Sequence, residues 1–121
     1  VLENYQTNSE IRFLYERSVL VLGQVSSSKR IRNTVPHKAF EAAFFAKPYI
    51  TLEESAVLEL FTKDSVFTLK EGRAESLAQL IDQIVGNKEE LMKRSRKFGD
   101  IYREKYSQEI LRKSFYNLVN F

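Results

Sequence analysis

The chain contains no cysteine and no tryptophan, one histidine, one methionine, four glycines and two prolines in 121 residues. Without cysteine there is no disulfide framework, no thiolate nucleophile and no cysteine zinc site, and His37 alone cannot build a histidine metal cluster. So little glycine and proline excludes a collagen-like or low-complexity chain. No apolar run approaches the roughly 18 residues of a membrane span. What is present suits one packed core: 43% of the residues are hydrophobic and 12% aromatic, in a length typical of a single domain. Residues 1–121 therefore read as one soluble domain. The first residue is Val1, not Met, and no charged segment followed by an apolar stretch comes after it. The expectation is a cytoplasmic piece of a longer protein with no secretory leader.

The net charge is only +3. Between Lys88 and Lys105 seven bases face four acids, so this segment holds the whole excess. A basic helix there could touch anionic lipid at the inner membrane face, although a solvated surface is the plainer reading. No nucleic-acid partner is expected, because Phe98, Tyr102 and Tyr106 share an apolar stripe instead of interleaving the charges.

Thr7 and Glu10 have the spacing of a capping box, and Ile11, Leu14 and Tyr15 follow at helical intervals. Val19, Val21, Leu20 and Leu22 form a continuous apolar run closed by Gly23, which predicts a strand covered on both faces. Residues 24–34 carry serines and the bases Lys29, Arg30 and Arg32 without periodicity, as an exposed loop does. Thr34 or Val35 is the expected cap of a helix with Pro36 in its first turn. That helix, Ala39 to Ala46, is apolar on nearly every face and should be buried, with Pro48 ending it. Further along, the pattern predicts a strand at 49–52, a short helix at 53–60, a strand at 65–69 and a helix ending at Gly86. Asn87 should cap the basic helix, and a last helix places Leu111, Phe115 and Leu118 on one stripe. A strand end is possible at Val1 and Leu2. Alternating helices and strands imply α/β architecture, a parallel sheet with right-handed crossovers and flanking helices. A doubly wound domain usually has five or six strands. Half of one is therefore absent, or a partner covers the sheet edge.

Glu41 stands out because the rest of its helix is apolar, and a buried carboxylate must find donors or take up a proton. Lys38, three residues earlier, is one candidate partner, though a base N-terminal to an acid is the poorer helical pairing. The other is a ligand with adjacent hydroxyls, such as a ribose diol, at the carboxyl edge of a parallel sheet. Thr51, at the end of a strand, suits either a helix cap or a sugar contact.

The stretch Asn33-Thr-Val-Pro-His-Lys-Ala-Phe-Glu41-Ala-Ala-Phe-Phe-Ala-Lys-Pro-Tyr-Ile-Thr51 resembles the P-x-K-x-x-E-A signature of retaining glycosyltransferases with two Rossmann-like domains, the GT-B architecture. The segments around Glu10 to Gly23, Glu71 to Ile81 and Tyr106 to Ser107 are similar in order and spacing to the rest of that family's C-terminal domain. The resemblance implies a Rossmann-like fold, here the C-terminal part of a GT-B donor domain. It also implies transfer of a sugar from a UDP- or GDP-sugar substrate, with no cofactor or metal. Glu41 would bind the ribose hydroxyls. Thr34 and Val35 would turn backbone N–H groups to the diphosphate, with His37 and Lys38 beside it. The family's second glutamate, at the reacting end, corresponds to Asn33, whose amide can hydrogen-bond a sugar but cannot stabilise an oxocarbenium-like charge. The acceptor, a glycan or lipid-linked sugar, would bind another domain. Ala46 replaces the glycine usual at the helix end. The competing reading is a noncatalytic α/β interaction module whose Glu41 is paired internally.

Overall fold

The computed structural model describes residues 7–119; the strand end expected at Val1 and Leu2 lies outside them. Three short strands, β1 (Val21–Leu22), β2 (Tyr49–Leu52) and β3 (Phe67–Leu69), form a parallel sheet in the order β1-β2-β3. Val21 pairs with Tyr49, and Ile50, Thr51 and Leu52 pair with Phe67, Thr68 and Leu69. All four β2 residues are buried. Tyr49 joins Val21, Val66, Phe61 and Phe98 on one face, whereas Ile50 and Leu52 join Ile31, Phe67, Leu69 and Ile84 on the other. A strand covered on both sides has no reason to alternate polar residues, which accounts for the continuous apolar runs.

The first strand is shorter than its apolar run. Val19 is exposed, and pairing begins only where the Val21 N–H meets the Pro48 carbonyl at 2.7 Å. Before it, α1 (Asn8–Arg17) opens on the expected capping box: Glu10 N–H donates to Thr7 Oγ1 at 3.3 Å and Thr7 N–H to Glu10 Oε2 at 2.9 Å. No α1 residue is fully buried.

The run expected as an open loop contains a helical turn, α2 (Lys29–Asn33). Ile31, the one apolar residue in it, is buried, and its carbonyl accepts the Ala56 N–H at 2.8 Å. One side chain in the core is enough to pin a single turn, and too few to show a period. The next helix, α3 (His37–Phe44), starts later than expected because Pro36, extended at φ −71° and ψ 148°, takes the N-cap position. Thr34 instead ends α2, also extended. Burial of α3 is confined to Ala39, Ala42 and Ala43, so the helix is covered on one face, not all round. Its end is a Schellman turn: Lys47 N–H donates to the Ala42 carbonyl at 2.9 Å and Ala46 N–H to that of Ala43 at 3.0 Å. Ala46 sits at φ 51°, the left-handed conformation that glycine adopts at no steric cost.

Helix α4 (Val57–Leu60) begins four residues later than the expected Glu53. Glu53 is still part of the ladder, donating its N–H to the Leu69 carbonyl at 2.8 Å, and Ser55 then closes a turn onto Leu52. A 3-10 turn at Lys63–Ser65 shortens the third strand in the same way. After β3 come α5 (Ala74–Gly86) and α6 (Lys88–Ile101), the latter capped by Asn87 Oδ1 accepting from Glu90 N–H at 3.1 Å. Ser95 and Phe98 bury the inner face of α6, a π-helical turn follows at Tyr102–Tyr106, and Tyr106 Oη donates to the Leu60 carbonyl at 2.9 Å. The last helix, α7 (Gln108–Val119), has the expected stripe, but Leu111, Phe115 and Leu118 are 55%, 65% and 70% exposed. The helix packs mainly on the π turn, leaving its apolar face uncovered. Among the described residues no helix is long and apolar enough to cross a membrane.

Helix α6 meets the end of α3 at Gly99, where an added methyl would lie 2.9 Å from Ala46 Cβ. Gly99→Ala should lower stability by about 1 kcal/mol, the overpacking outweighing the gain in helix propensity. Combining it with Ala46→Gly removes both the contact and the left-handed strain, so the double variant should be at least as stable as the parent in urea unfolding. Simple additivity of the two single effects would refute the contact.

Where α6 meets the 3-10 turn instead, Lys97 and the Thr62 hydroxyl both donate to Asp64 and hold its carboxyl down to about 2, below its ordinary 3.8. A depressed carboxyl stabilises the fold above its unfolded value and loses that contribution as pH falls through the folded one. Stability measured from pH 5 to pH 2 should drop by an extra amount below about pH 4, no more than about 1 kcal/mol for an exposed pair. Asp64→Asn should lack that extra drop.

Candidate functional site

All three strands of a parallel sheet end at one edge, and there the loops of this chain interlock. Gly23 N–H donates to the Ile50 carbonyl at 2.8 Å, and Thr51 Oγ1 to the Gln24 carbonyl at 3.3 Å. Thr51 is fully buried, so its hydroxyl ties the loop after β1 and neither caps a helix nor faces a ligand. Gly72, after β3, approaches so closely that an added Cβ would lie 1.9 Å from the Val25 carbonyl oxygen. Only a residue without a side chain fits there.

The segment leading into α3 crosses this edge. Asn33 is exposed, its amide donating weakly to the Lys29 carbonyl at 3.4 Å. Thr34 is exposed, whereas Val35 is half-buried against the core. Pro36 offers no side-chain cap, and the Ala39 N–H turns back onto the Pro36 carbonyl at 3.0 Å. The N–H groups of His37 and Lys38 have no acceptor among the described residues, and both side chains are exposed. The uncapped positive end of the helix thus belongs to His37 and Lys38, two to three residues beyond the Thr34 and Val35 expected to supply it. Of the three loop bases, Arg32 is engaged: its Nε and Nη2 donate to Glu54 Oε2 at 3.0 and 2.6 Å. Lys29 and Arg30 are exposed.

Glu41 is not buried, which corrects the strongest expectation drawn from the sequence. With only the alanine face of α3 in the core, the carboxylate stands on the open side of the helix. Nor is Lys38 its partner. Tyr15 Oη donates to Glu41 Oε2 at 2.7 Å, joining α1 to α3 across 26 positions. The Tyr15 ring is half-buried and stacks on Phe45, with centroids 5.1 Å apart and planes 11° from parallel. Burial, and then the hydrogen bond and charge of Glu41, raise the Tyr15 phenol well above its ordinary 10. The sequence shows Tyr15 only as part of a helical stripe; nothing local marks a partner so distant.

A second tyrosine lies nearby. Tyr49 is fully buried at the start of β2, stacked on Phe98 at 5.7 Å, and its hydroxyl has no partner among the described residues. Burial pushes its phenol up to about 12. An added Cβ at Gly23 would fall 2.3 Å from that hydroxyl oxygen, so the glycine after β1 makes room for the ring.

Two open concavities, of about 310 and 510 Å³, lie elsewhere, between β3 and α5, lined by residues such as Thr68, Leu80 and Gln83. Among the described residues no three His, Asp or Glu side chains converge as metal ligands do. No family model, curated protein or solved structure matches the chain. Its class rests on the architecture: an α/β protein with a three-stranded parallel sheet flanked by helices, in which Tyr15 meets Glu41 of α3, the helix that begins at His37 and Lys38.

A buried hydroxyl without a partner forfeits its hydration. Tyr49→Phe keeps the ring and removes that cost, so it should leave stability unchanged or raise it by up to about 2 kcal/mol in chemical denaturation. A loss of more than about 1 kcal/mol would show that the hydroxyl is hydrogen-bonded after all.

Proposed function

We propose that this chain is the C-terminal, Rossmann-like portion of the donor-binding domain of a GT-B-type retaining glycosyltransferase, working in the cytoplasm on a UDP- or GDP-sugar. The observation that carries the reading is an exposed carboxylate, Glu41, one turn inside a helix whose start is uncapped. That helix start stands at the carboxyl edge of a parallel sheet, within a stretch that resembles the family signature. Open α/β sheets bind ligands at this edge.

In this reading the N–H groups of His37 and Lys38, together with the Lys38 ammonium, face the diphosphate. Glu41 accepts from the ribose diol, and Asn33 lies toward the transferred sugar. Loss of the diphosphate is the difficult step, and fixed N–H dipoles and positive charge stabilise it without reorganising. The acceptor glycan or lipid-linked sugar binds a domain outside this chain, so these residues alone should not turn over substrate. Lys88, Lys93 and Arg96, exposed on α6, give a surface for anionic lipid.

A second reading, a noncatalytic interaction module, is favoured by two observations: Glu41 already has an internal donor, and the apolar face of α7 is uncovered. Titration of the intact protein with UDP and GDP separates the two. The parent should bind one of them, and Glu41→Ala should weaken that binding by about 1 to 3 kcal/mol, the scale of hydrogen bonds to a charged group. Negligible binding by both proteins would leave the module.

A further inference from the structure

Of the eight ion pairs among the described residues none includes Glu41; what holds this carboxylate is a neutral hydroxyl. The difference matters chemically. An ammonium partner would offset the negative charge, whereas a phenol at 2.7 Å donates one hydrogen bond and leaves the charge in place. One donor occupies one of roughly four lone-pair sites on a carboxylate. Oε1 has no donor among the described residues, and the side chain is exposed.

The phenol is itself held. Its ring lies flat on Phe45, in the turn that ends α3, and Lys47 of the same turn donates from Nζ to the Glu16 carbonyl at 3.1 Å. Tyr15 is thus fixed from the end of the helix that carries Glu41, and it reaches back to the carboxylate one turn earlier. An exposed glutamate otherwise samples many rotamers, and ordering it on binding costs affinity. Here the ordering is done before a ligand arrives.

We infer that Tyr15 is a positioning residue for Glu41, holding Oε2 so that Oε1 is presented to the hydroxyls of a ribonucleoside diphosphate, and that it thereby sets preference for ribose over 2′-deoxyribose. The inference rests on the nucleotide-sugar reading above. Tyr15 need not touch the ligand; it acts through the orientation of the carboxylate.

Calorimetric titration of the intact protein, its Tyr15→Phe variant and its Glu41→Ala variant with UDP, GDP and their 2′-deoxy counterparts tests it. Tyr15→Phe keeps the stacked ring and removes only the donor. For whichever base binds, the parent should prefer the ribonucleotide. Tyr15→Phe should weaken the ribonucleotide about 3- to 10-fold, leave the deoxynucleotide nearly unchanged and so collapse the ratio between them. Because both ligands are compared on one sample, a partly unfolded variant does not alter that ratio, and a purely structural role for Tyr15 leaves it intact. A preserved ratio in Tyr15→Phe, with ribonucleotide binding weakened in Glu41→Ala, overturns the positioning role and leaves the nucleotide-sugar reading standing. Failure of the parent to bind any of the four overturns both.

Discussion

Burial of β2 on both faces constrains everything else in the molecule. A parallel strand has no hairpin to hold it, so its neighbours must return by crossovers, and its two rows of side chains need helices above and below. Tyr49 and Thr51 point one way, Ile50 and Leu52 the other. On the first side the alanines of α3 and the aromatic face of α6 come close enough to cover a tyrosine ring; on the second, α5 and the turn of α2 close over Ile50 and Leu52. The small residues are the other half of this constraint. Ala39, Ala42 and Ala43 let α3 lie near the sheet, Gly99 lets α6 lie against the end of α3, and Gly23 leaves room for the Tyr49 ring.

Punctuation in the sequence was legible wherever a single residue type carries it. Thr7 with Glu10, Pro48 and Asn87 place ends of α1, α3 and α6 because each acts through its own backbone geometry or its own hydrogen bond, independent of the rest of the fold. Parallel pairing follows from the alternation of elements, whereas the strand order β1-β2-β3 is visible only in the fold. Lengths were less legible: the expected strands extended beyond the ladders, since Val19 is apolar yet unpaired and Ser65 closes a turn. The turn of α2 is held by one tertiary contact of Ile31, which has no periodic signature. Ala46 shows the opposite case. A Schellman turn forms there with alanine in the position that favours glycine, because Pro48 must end the helix and β2 must begin.

Glu41 stood out in the sequence, but the energetics inferred for it there were misread. Apolar neighbours in sequence suggested that Glu41 was buried, but Phe40 and Phe44 do not enclose it. Phe44 is itself largely exposed and meets Phe45 and Tyr102 edge-on. A helix rich in apolar residues can still present a polar face when its buried contact is made by alanines, whose small side chains cover little of the helix surface. An exposed Glu41 is not desolvated, and its partner comes from α1, an element that shares no local pattern with α3.

The uncovered surfaces divide along the same lines. On the proposed reading, β1 is not the true edge of a sheet but an inner strand whose neighbour lies in another part of the polypeptide. That would account for an outer strand of only two paired residues carrying no charged or proline guard against pairing. The stripe of Leu111, Phe115 and Leu118 is a different kind of surface, since it belongs to a helix that leaves the body after the π turn and contributes nothing to either core cluster. Neither surface bears directly on Glu41. An interaction module would need the stripe but makes no demand on a carboxylate that has no cation among the described residues, one turn into an uncapped helix, whereas a donor site needs that carboxylate. This asymmetry is why the Glu41 cluster, and not the larger apolar area, carries the functional reading.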